Sequence, residues 1–344
     1  MKFLLIIFLV FDGLCAISQK YIFSDIVPSK TDTTFLIITN RKYNPASSSG
    51  DYFTNEINED GRLYYITVIR KNNCWNIKIN QTLEESFESL NKEKDVVIYI
   101  HGFGSSFSSI LDGSYALKNL YNLNVISFSW ASNIHGHTEK ENFELAKNNI
   151  DKSIISFRNF ILLYQSYKDK YLKDVRTTLF LHSLGNYFMQ KLIEDTLYLH
   201  FESNLFDNVL FNAPAVDLKN HKSWIEKMSF QKRIYITNNR NDYMLRAARY
   251  LQHQVQLGVK AKMPLADNAT YVNFTKAIGF NLSIFDRKGH NYFLGLVPNE
   301  NLNVFRFYDC VLHGKDYALI DYKNPASPGI MPVTKTLFSQ YSHL

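Results

Sequence analysis

A serine in the middle of the chain stands where a strand pattern changes abruptly into a helix pattern. The apolar, β-favouring residues 177–181 end in His182-Ser183-Leu184-Gly185, and a helical pattern follows at once. A sharp strand-turn-helix connection of this kind exposes a serine hydroxyl above the edge of a sheet, where it can attack an acyl carbon. Such a turn brings strand and helix close together, so small residues are needed, and Gly185 supplies one.

This pattern departs from the usual form of the turn at one position. The usual pentapeptide is Gly-x-Ser-x-Gly, and Leu181 stands where its first glycine would be. The pentapeptide alone therefore does not separate a catalytic serine from an ordinary Ser/Gly loop that leads into a helix.

A second glycine-rich segment favours the catalytic interpretation. His101-Gly102-Phe103-Gly104 comes directly after the buried-strand pattern "VVIYI". In serine hydrolases with such a turn, a His-Gly segment upstream supplies an N–H for the oxyanion, and we predict Phe103 and Leu184 as the two donors. A phosphate-binding loop is disfavoured because the segment matches neither the P-loop nor the dinucleotide-binding glycine pattern.

A serine nucleophile needs a base, and six histidines lie downstream of it. We predict His290 as the base because it follows an apparent strand in "LSIFDRKGHNYF", beside Gly289 in a loop. His313 is the main alternative. His253 lies within a helical pattern, and His343 lies at the end of the chain.

The base in turn needs an acid that orients it, and the chain order of this site is serine, acid, histidine. Asp242 follows the strand pattern "RIYIT" and precedes a helical pattern. Asp217 follows the preceding strand pattern and is the competing candidate. We favour Asp242, although an aspartate in either loop could instead cap a helix.

The elements that would hold these residues alternate between strand and helix. Most strand-like runs are short and continuously apolar, which is typical of strands buried on both faces. They predict an α/β fold with a mostly parallel central sheet and helices on both faces, in which the first two strands form an antiparallel hairpin at one edge. The runs are "TTFLIITN", "LYYITVIR", "DVVIYI", "NVISFSW", "TTLFL", "NVLFNAP", "RIYIT" and "LSIFD".

The amino-acid composition is that of a globular protein. The 344 residues are 46% hydrophobic and 20% charged, and we predict a single α/β domain over residues 19–344. The net charge is +6, but lysines and arginines are scattered without a run of five. We therefore expect no nucleic-acid partner, since such binding usually needs a clustered basic stripe.

The first residues have the layout of a secretory signal peptide. Lys2 precedes the apolar residues 3–11, and the small residues Ala16 and Ser18 follow. The apolar run is shorter than the ~20 residues that a membrane-spanning helix needs. We predict that residues 1–18 are a signal peptide and that the protein is secreted or extracytoplasmic.

The three cysteines raise two questions, whether the protein carries a lipid anchor and whether it contains a disulfide bond. A lipid anchor on Cys15 is the lesser alternative to cleavage before Gln19, because Leu14 is bulkier than the residue that usually precedes such a cysteine. Membrane association is expected only through that anchor. Cys74 and Cys310 would remain after cleavage, and their spacing does not decide whether they pair.

The order of these motifs resembles that of the α/β-hydrolase superfamily, and more closely the family called domain of unknown function 900. The resemblance covers roughly residues 34 to 294 and implies an α/β-hydrolase fold with Ser183, Asp242 and His290 as a catalytic triad. The matching segments are "TTFLIITNRKYN", "VVIYIHGFGSSF", "VISFSWAS", "FLHSLGNYF", "NVLFNAPAVD", "IYITNNRNDYMLRAA" and "FDRKGHNYF".

Together these features predict a secreted serine hydrolase, most readily a carboxylic-ester hydrolase of esterase or lipase type that works through an acyl-enzyme. Its substrate would be a small-molecule or lipid ester, and the chemistry needs no metal or organic cofactor. Two alternatives stay open on the same fold. One is a catalytically weak binding protein, and the other is a peptidase or amidase with the same triad.

Overall fold

The computed structural model of the chain describes residues 21–23, 33–47, 51–71, 74–278, 289–317 and 330–333. The strands of this part are β1 (Tyr21–Phe23), β2 (Thr33–Thr39), β3 (Arg41–Tyr43), β4 (Phe53–Ile57), β5 (Tyr64–Lys71), β6 (Cys74–Asn80), β7 (Val96–Ile100), β8 (Asn124–Ser129), β9 (Thr177–His182), β10 (Phe206–Asn212), β11 (Gln231–Asn238), β12 (Thr270–Asn273) and β13 (Ile330–Pro332). The helices are α1 (Leu83–Phe87), α2 (Phe107–Tyr121), α3 (Glu139–Tyr171), α4 (Asn186–Glu194), α5 (His221–Ile225), α6 (Tyr243–Gln252), α7 (Thr275–Ile278), α8 (Leu296–Glu300) and α9 (Leu302–Leu312), with a 3-10 turn (Ser183–Gly185) before α4.

One large sheet runs through the described residues in the order β1-β6-β5-β2-β8-β7-β9-β10-β11-β12-β13. Every neighbouring pair in it is parallel except those made by β5, which runs opposite to β2 and β6. Every residue of β7, β8, β9 and β10 is buried. Because successive side chains of a strand point to opposite faces, both faces of the sheet centre are covered. The predicted mostly parallel α/β fold is confirmed.

The predicted hairpin is correct in its pairing but not in its position. β2 and β5 are antiparallel neighbours, yet β6 and β1 extend the sheet beyond them. The sequence of β6, "CWNIKIN", alternates apolar and polar side chains, so a search for continuously apolar runs passes over it.

The strand predicted just before His290 is not among the described residues. The predicted run "LSIFD", residues 282–286, lies outside the described residues. The nearest described strand before His290 is β12, which pairs with β11. Its four residues, "TYVN", are too few to give a clear pattern.

The helices α3 and α4 each bury one apolar side. α3 begins with a capping box in which Thr138 and Glu141 bond reciprocally, and it buries a stripe that includes Phe143, Ile150 and Phe157. α4 buries an apolar side that includes Phe188, whose ring contacts that of Phe128 in β8. No helix among the described residues is both long enough and apolar enough to cross a bilayer. Cys74 and Cys310 are free thiols.

One carboxylate joins several elements at the amino-terminal edge of the sheet. Asp95, just before β7, accepts hydrogen bonds from Arg176 Nη2 (2.9 Å) and His313 Nδ1 (2.8 Å). Burial of Asp95 opposes its ionisation, but the hydrogen bonds from His313 and Arg176 outweigh it and lower the pKa of Asp95 to about 2. The folded protein therefore favours the ionised carboxylate.

We expect this carboxylate to stabilise the fold only above acidic pH. As the pH falls, Asp95 takes up a proton at pH ~3.9 in the unfolded chain but only at a lower pH in the folded chain. The stabilisation is therefore complete above pH ~3.9 and is lost as the pH falls toward 2. Asp95→Asn should lower the free energy of unfolding at pH 5 and should differ little from the wild type at pH 2, as measured by urea unfolding. A difference that stays constant from pH 5 to pH 2 would contradict this account.

Candidate active site

Ser183 lies at the carboxyl end of β9 with a left-handed backbone, φ 52°. This conformation is uncommon for a residue with a side chain and is typical of a tight, strained turn. The carbonyl oxygen of Ser183 accepts hydrogen bonds from the N–H of Ala215 (3.1 Å) and from Asn186 Nδ2 (2.7 Å). The start of α4 and the loop after β10 thus hold the turn in place.

Two glycines allow the turn to approach its neighbours. A Cβ atom on Gly102 would lie 2.8 Å from Ser183 Cβ and 3.3 Å from Ser183 Oγ, so the His-Gly segment lies directly against the serine. A Cβ atom on Gly185 would lie 2.6 Å from the carbonyl oxygen of His101 and 2.7 Å from that of Ile100. Both contacts exclude any side chain beyond hydrogen at these positions without a shift of the backbone.

His101 is a buried residue that orients the glycine segment. Its Nε2 accepts a hydrogen bond from the N–H of Trp130 (3.1 Å), so Nδ1 carries the proton and donates to the carbonyl oxygen of Gly102 (2.9 Å). Burial, and secondarily the charge of Arg41, lower the pKa of His101 to about 3, which keeps the ring neutral. The C=O of Gly102 and the N–H of Phe103 share one planar trans peptide and point in opposite directions. His101 therefore sets the direction of the Phe103 N–H.

Arg41 supports the same segment from behind, and sequence patterns gave no sign of it. Its guanidinium is fully buried and donates to Ser105 O (2.7 Å), Ser129 Oγ (3.0 Å) and Asn55 Oδ1 (2.6 Å). Burial lowers the pKa of Arg41 to about 9. A buried cation of this kind is tolerated because its N–H groups are hydrogen-bonded.

The structure brings His290 and Asp242 together. His290 Nδ1 lies 2.7 Å from Asp242 Oδ2, and both side chains are buried. Asp242 Oδ1 accepts a hydrogen bond from the N–H of Leu245 (3.0 Å), so Asp242 is also the N-cap of α6. The capping role and the contact with histidine, which the sequence presented as alternatives, occur in one residue.

His290 lies close to the turn that carries Ser183. Its ring centre is 4.7 Å from that of His182, the residue directly before Ser183. Within the described part of the chain, Ser183 Oγ and His290 share no hydrogen bond.

The competing candidates lie elsewhere. Asp217 Oδ1 accepts a hydrogen bond from the N–H of Lys219 (3.0 Å), and no contact joins Asp217 to His290 among the described residues. His313 bonds Asp95 at the amino-terminal edge of the sheet. Because a six-residue strand spans about 20 Å, β9 separates that edge from Ser183. His253 is the C-cap of α6.

Each of the two predicted oxyanion donors is next in the chain to one partner of the contact between Gly102 and Ser183. Phe103 belongs to the segment that contacts Ser183, and Leu184 is the second residue of the 3-10 turn, where N–H groups have no partner within the turn. No hydrogen bond inside the described ranges uses the N–H of Phe103. The described residues also contain no cluster of histidine, cysteine or acidic side chains that could hold a metal ion.

The contact between Gly102 and Ser183 leads to a stability prediction. Gly102→Ala should lower the free energy of unfolding by about 1–3 kcal/mol, because its methyl group would overlap Ser183 and force a backbone shift. Gly113→Ala is the matched control. Gly113 lies in α2 with nothing near its Cβ position, and alanine there should raise stability by roughly 0.5–1 kcal/mol. Chemical denaturation of both variants measures the difference, and equal effects would show that the contact is loose.

Comparisons with known proteins agree with this architecture. The family described as alpha/beta hydrolase of unknown function (DUF900) matches residues 78–279, which is more than half of the chain. The comparisons with curated proteins and with solved structures gave no match. The matched range includes Gly102, Ser183 and Asp242, and it ends before His290. The chain therefore belongs to this family of α/β hydrolases.

Proposed function

We propose that this α/β hydrolase is a serine hydrolase that cleaves carboxylic esters, with Ser183 as nucleophile, His290 as base and Asp242 as the orienting acid. The observation that carries the proposal is the buried 2.7 Å hydrogen bond between His290 and Asp242, next to the strained turn of Ser183. A buried acid that bonds a histidine beside such a serine is the arrangement that nucleophilic acyl transfer requires.

In the proposed reaction, Ser183 Oγ attacks the carbonyl carbon of the ester. Because Nδ1 of His290 donates to Asp242, Nε2 is free to take the serine proton and then to deliver it to the leaving alcohol. The resulting acyl-enzyme is hydrolysed by water that His290 activates in the same way. Asp242 Oδ1 is held by Leu245, so its carboxylate is fixed in orientation throughout.

The developing oxyanion would be held by the N–H groups of Phe103 and Leu184. The peptide that carries the Phe103 N–H is oriented by His101, and the Leu184 N–H belongs to the positive end of the turn that leads into α4. No metal or organic cofactor takes part in these steps. Preorganised donors of this kind stabilise charge that appears only in the transition state.

An apolar acyl group fits the side chains near the glycine segment. The Phe103 ring is partly exposed and packs against the Phe143 ring with centres 5.5 Å apart. We therefore favour small-molecule or lipid esters as substrates. Export is part of the same proposal, although the predicted signal peptide, residues 1–18, and Cys15 lie outside the described residues.

Replacement of the nucleophile tests the proposal directly. Ser183→Ala should abolish labelling by a fluorophosphonate probe and hydrolysis across a panel of short-chain to long-chain esters, because the probe and the substrates react at the same oxygen. Ser114→Ala is the control, since Ser114 is a buried serine that bonds Ser127 within the core. Labelling of Ser183→Ala at the wild-type rate would refute the assignment. A labelled wild type that hydrolyses amides but no ester would indicate a peptidase or amidase, and an unlabelled, inactive wild type would indicate a binding protein.

The two aspartates can be ranked by matched substitutions. Asp242→Asn should reduce kcat severely, on the order of 10⁴-fold, because the amide favours the wrong imidazole tautomer. Asparagine is also a good N-cap, so the variant should stay folded. Asp217→Asn should leave kcat nearly unchanged. Turnover of one ester and thermal melting of both variants provide the comparison, and an inactive, folded Asp217→Asn beside an active Asp242→Asn would reverse the assignment.

A further inference from the structure

The three residues that follow His290 are each anchored to a different element of the core. Asn291 and Tyr292 form a hydrogen bond through their side chains, and Phe293 forms one through its main-chain carbonyl oxygen. The bonds are His182 Nε2 to Asn291 Oδ1 (2.9 Å), Tyr292 OH to Thr237 Oγ1 (2.6 Å) and Tyr121 OH to Phe293 O (2.7 Å). The position of His290 is thus fixed from its carboxyl-terminal side by β9, β11 and α2.

The proton positions in this network follow from its partners. Asn212, the register neighbour of His182 on β10, donates from Nδ2 to His182 Nδ1 (3.0 Å). His182 Nε2 therefore carries the proton and donates to Asn291 Oδ1. The side-chain oxygen of Asn212, Oδ1, accepts hydrogen bonds from the hydroxyl groups of Thr237 and Tyr308. Both atoms of its amide group are thus in use, which fixes the amide orientation.

Of the three hydrogen bonds, the one between His182 and Asn291 is the most direct link between the serine turn and His290. It joins the residue directly before Ser183 to the residue directly after His290. The rings of His182 and His290 are also in contact, with centres 4.7 Å apart. His182 is only 6% exposed, so water cannot readily replace its partners. A change in this bond would alter the distance between Ser183 Oγ and His290 more directly than a change in either of the others.

We propose that His182 and Asn291 are positioning residues, whose hydrogen bond holds the imidazole of His290 within reach of Ser183. This inference rests on the proposed function, in which Ser183 and His290 act together. Neither residue needs to touch the substrate. A displacement of about 1 Å between reacting groups can cost on the order of 100-fold in rate, so a single buried bond is sufficient to matter.

The test compares variants that break this bond, keep it, or remove an equivalent bond elsewhere. Asn291→Leu removes the acceptor. His182→Gln keeps an amide N–H near the position of Nε2 and so retains the donor. Tyr164→Phe is the control, because Tyr164 OH makes a buried 2.6 Å bond with Thr177 at the opposite end of β9. Each variant is measured by steady-state ester hydrolysis and by thermal melting.

We expect Asn291→Leu to lower kcat at least about tenfold with KM within about twofold, since the loss is one of alignment and not of substrate binding. His182→Gln should retain most of the wild-type kcat. Tyr164→Phe should lower the melting temperature without a change in kcat. A folded Asn291→Leu with wild-type kcat would overturn the inference, as would a His182→Gln variant that loses as much kcat as Asn291→Leu.

Hydrogen–deuterium exchange of peptides that cover residues 289–293 tests the anchor without reference to activity. Asn291→Leu should exchange faster there than the wild type, and Tyr164→Phe should not. If Ser183→Ala retained full turnover, the proposed function would fail and exchange alone would decide whether the anchor exists. Unchanged exchange in Asn291→Leu would refute it in either case.

Discussion

The contact between Gly102 and Ser183 is the constraint on which the carboxyl edge of the sheet depends. It exists because β7 and β9 are parallel neighbours, with Ile100 opposite Leu181 in the register. The segments that follow β7 and β9 leave the sheet at the same edge and must pass each other. The segment after β9 does so through the left-handed backbone of Ser183. The separation is so small that only hydrogen fits at Gly102 and Gly185. The pairing of β7 with β9, the strained backbone of Ser183 and the absence of side chains at Gly102 and Gly185 therefore depend on one another.

Buried polar groups around this contact are arranged so that nearly every donor meets an acceptor. His101 and His182 each use both ring nitrogens, one as donor and one as acceptor. Arg41 brings a positive charge behind the glycine segment and bonds it through Ser105. Such groups are costly to bury and bond in few arrangements. They specify the geometry of the loops more sharply than apolar packing would.

Local sequence patterns were sufficient to predict the parallel core, because continuously apolar strands and glycine turns are properties of neighbouring residues. The family was predicted from a resemblance that rests on the order of the motifs along the chain. The same patterns missed β6, whose side chains alternate, and β12, which has only four residues. Leu181, which stands in place of the usual glycine, is fully buried in the hydrophobic core.

Long-range contacts explain what the patterns could not give. Arg41, His182 and Asn291 acquire their roles from partners that are distant in the chain, such as Ser105 for Arg41 and Asn291 for His182. His313 and His290 were both candidates for the base in the sequence, and only the structure shows that His313 bonds Asp95 at the amino-terminal edge of the sheet. The dual role of Asp242 also depends on this distance, since its cap partner is three residues away and its histidine partner is 48 residues away.

The strand order also determines when the sheet can assemble as the chain emerges from the ribosome. β10 to β13 join one side in the order of synthesis, so each can add to a partner that already exists. β2 and β5 can pair early, but β2 also needs β8, which ends some ninety residues later. Until then the β2–β5–β6 unit presents an open edge with apolar side chains, the kind of surface that favours intermolecular pairing. Nascent chains in which β8 has not yet been synthesised should therefore be the most prone to aggregation.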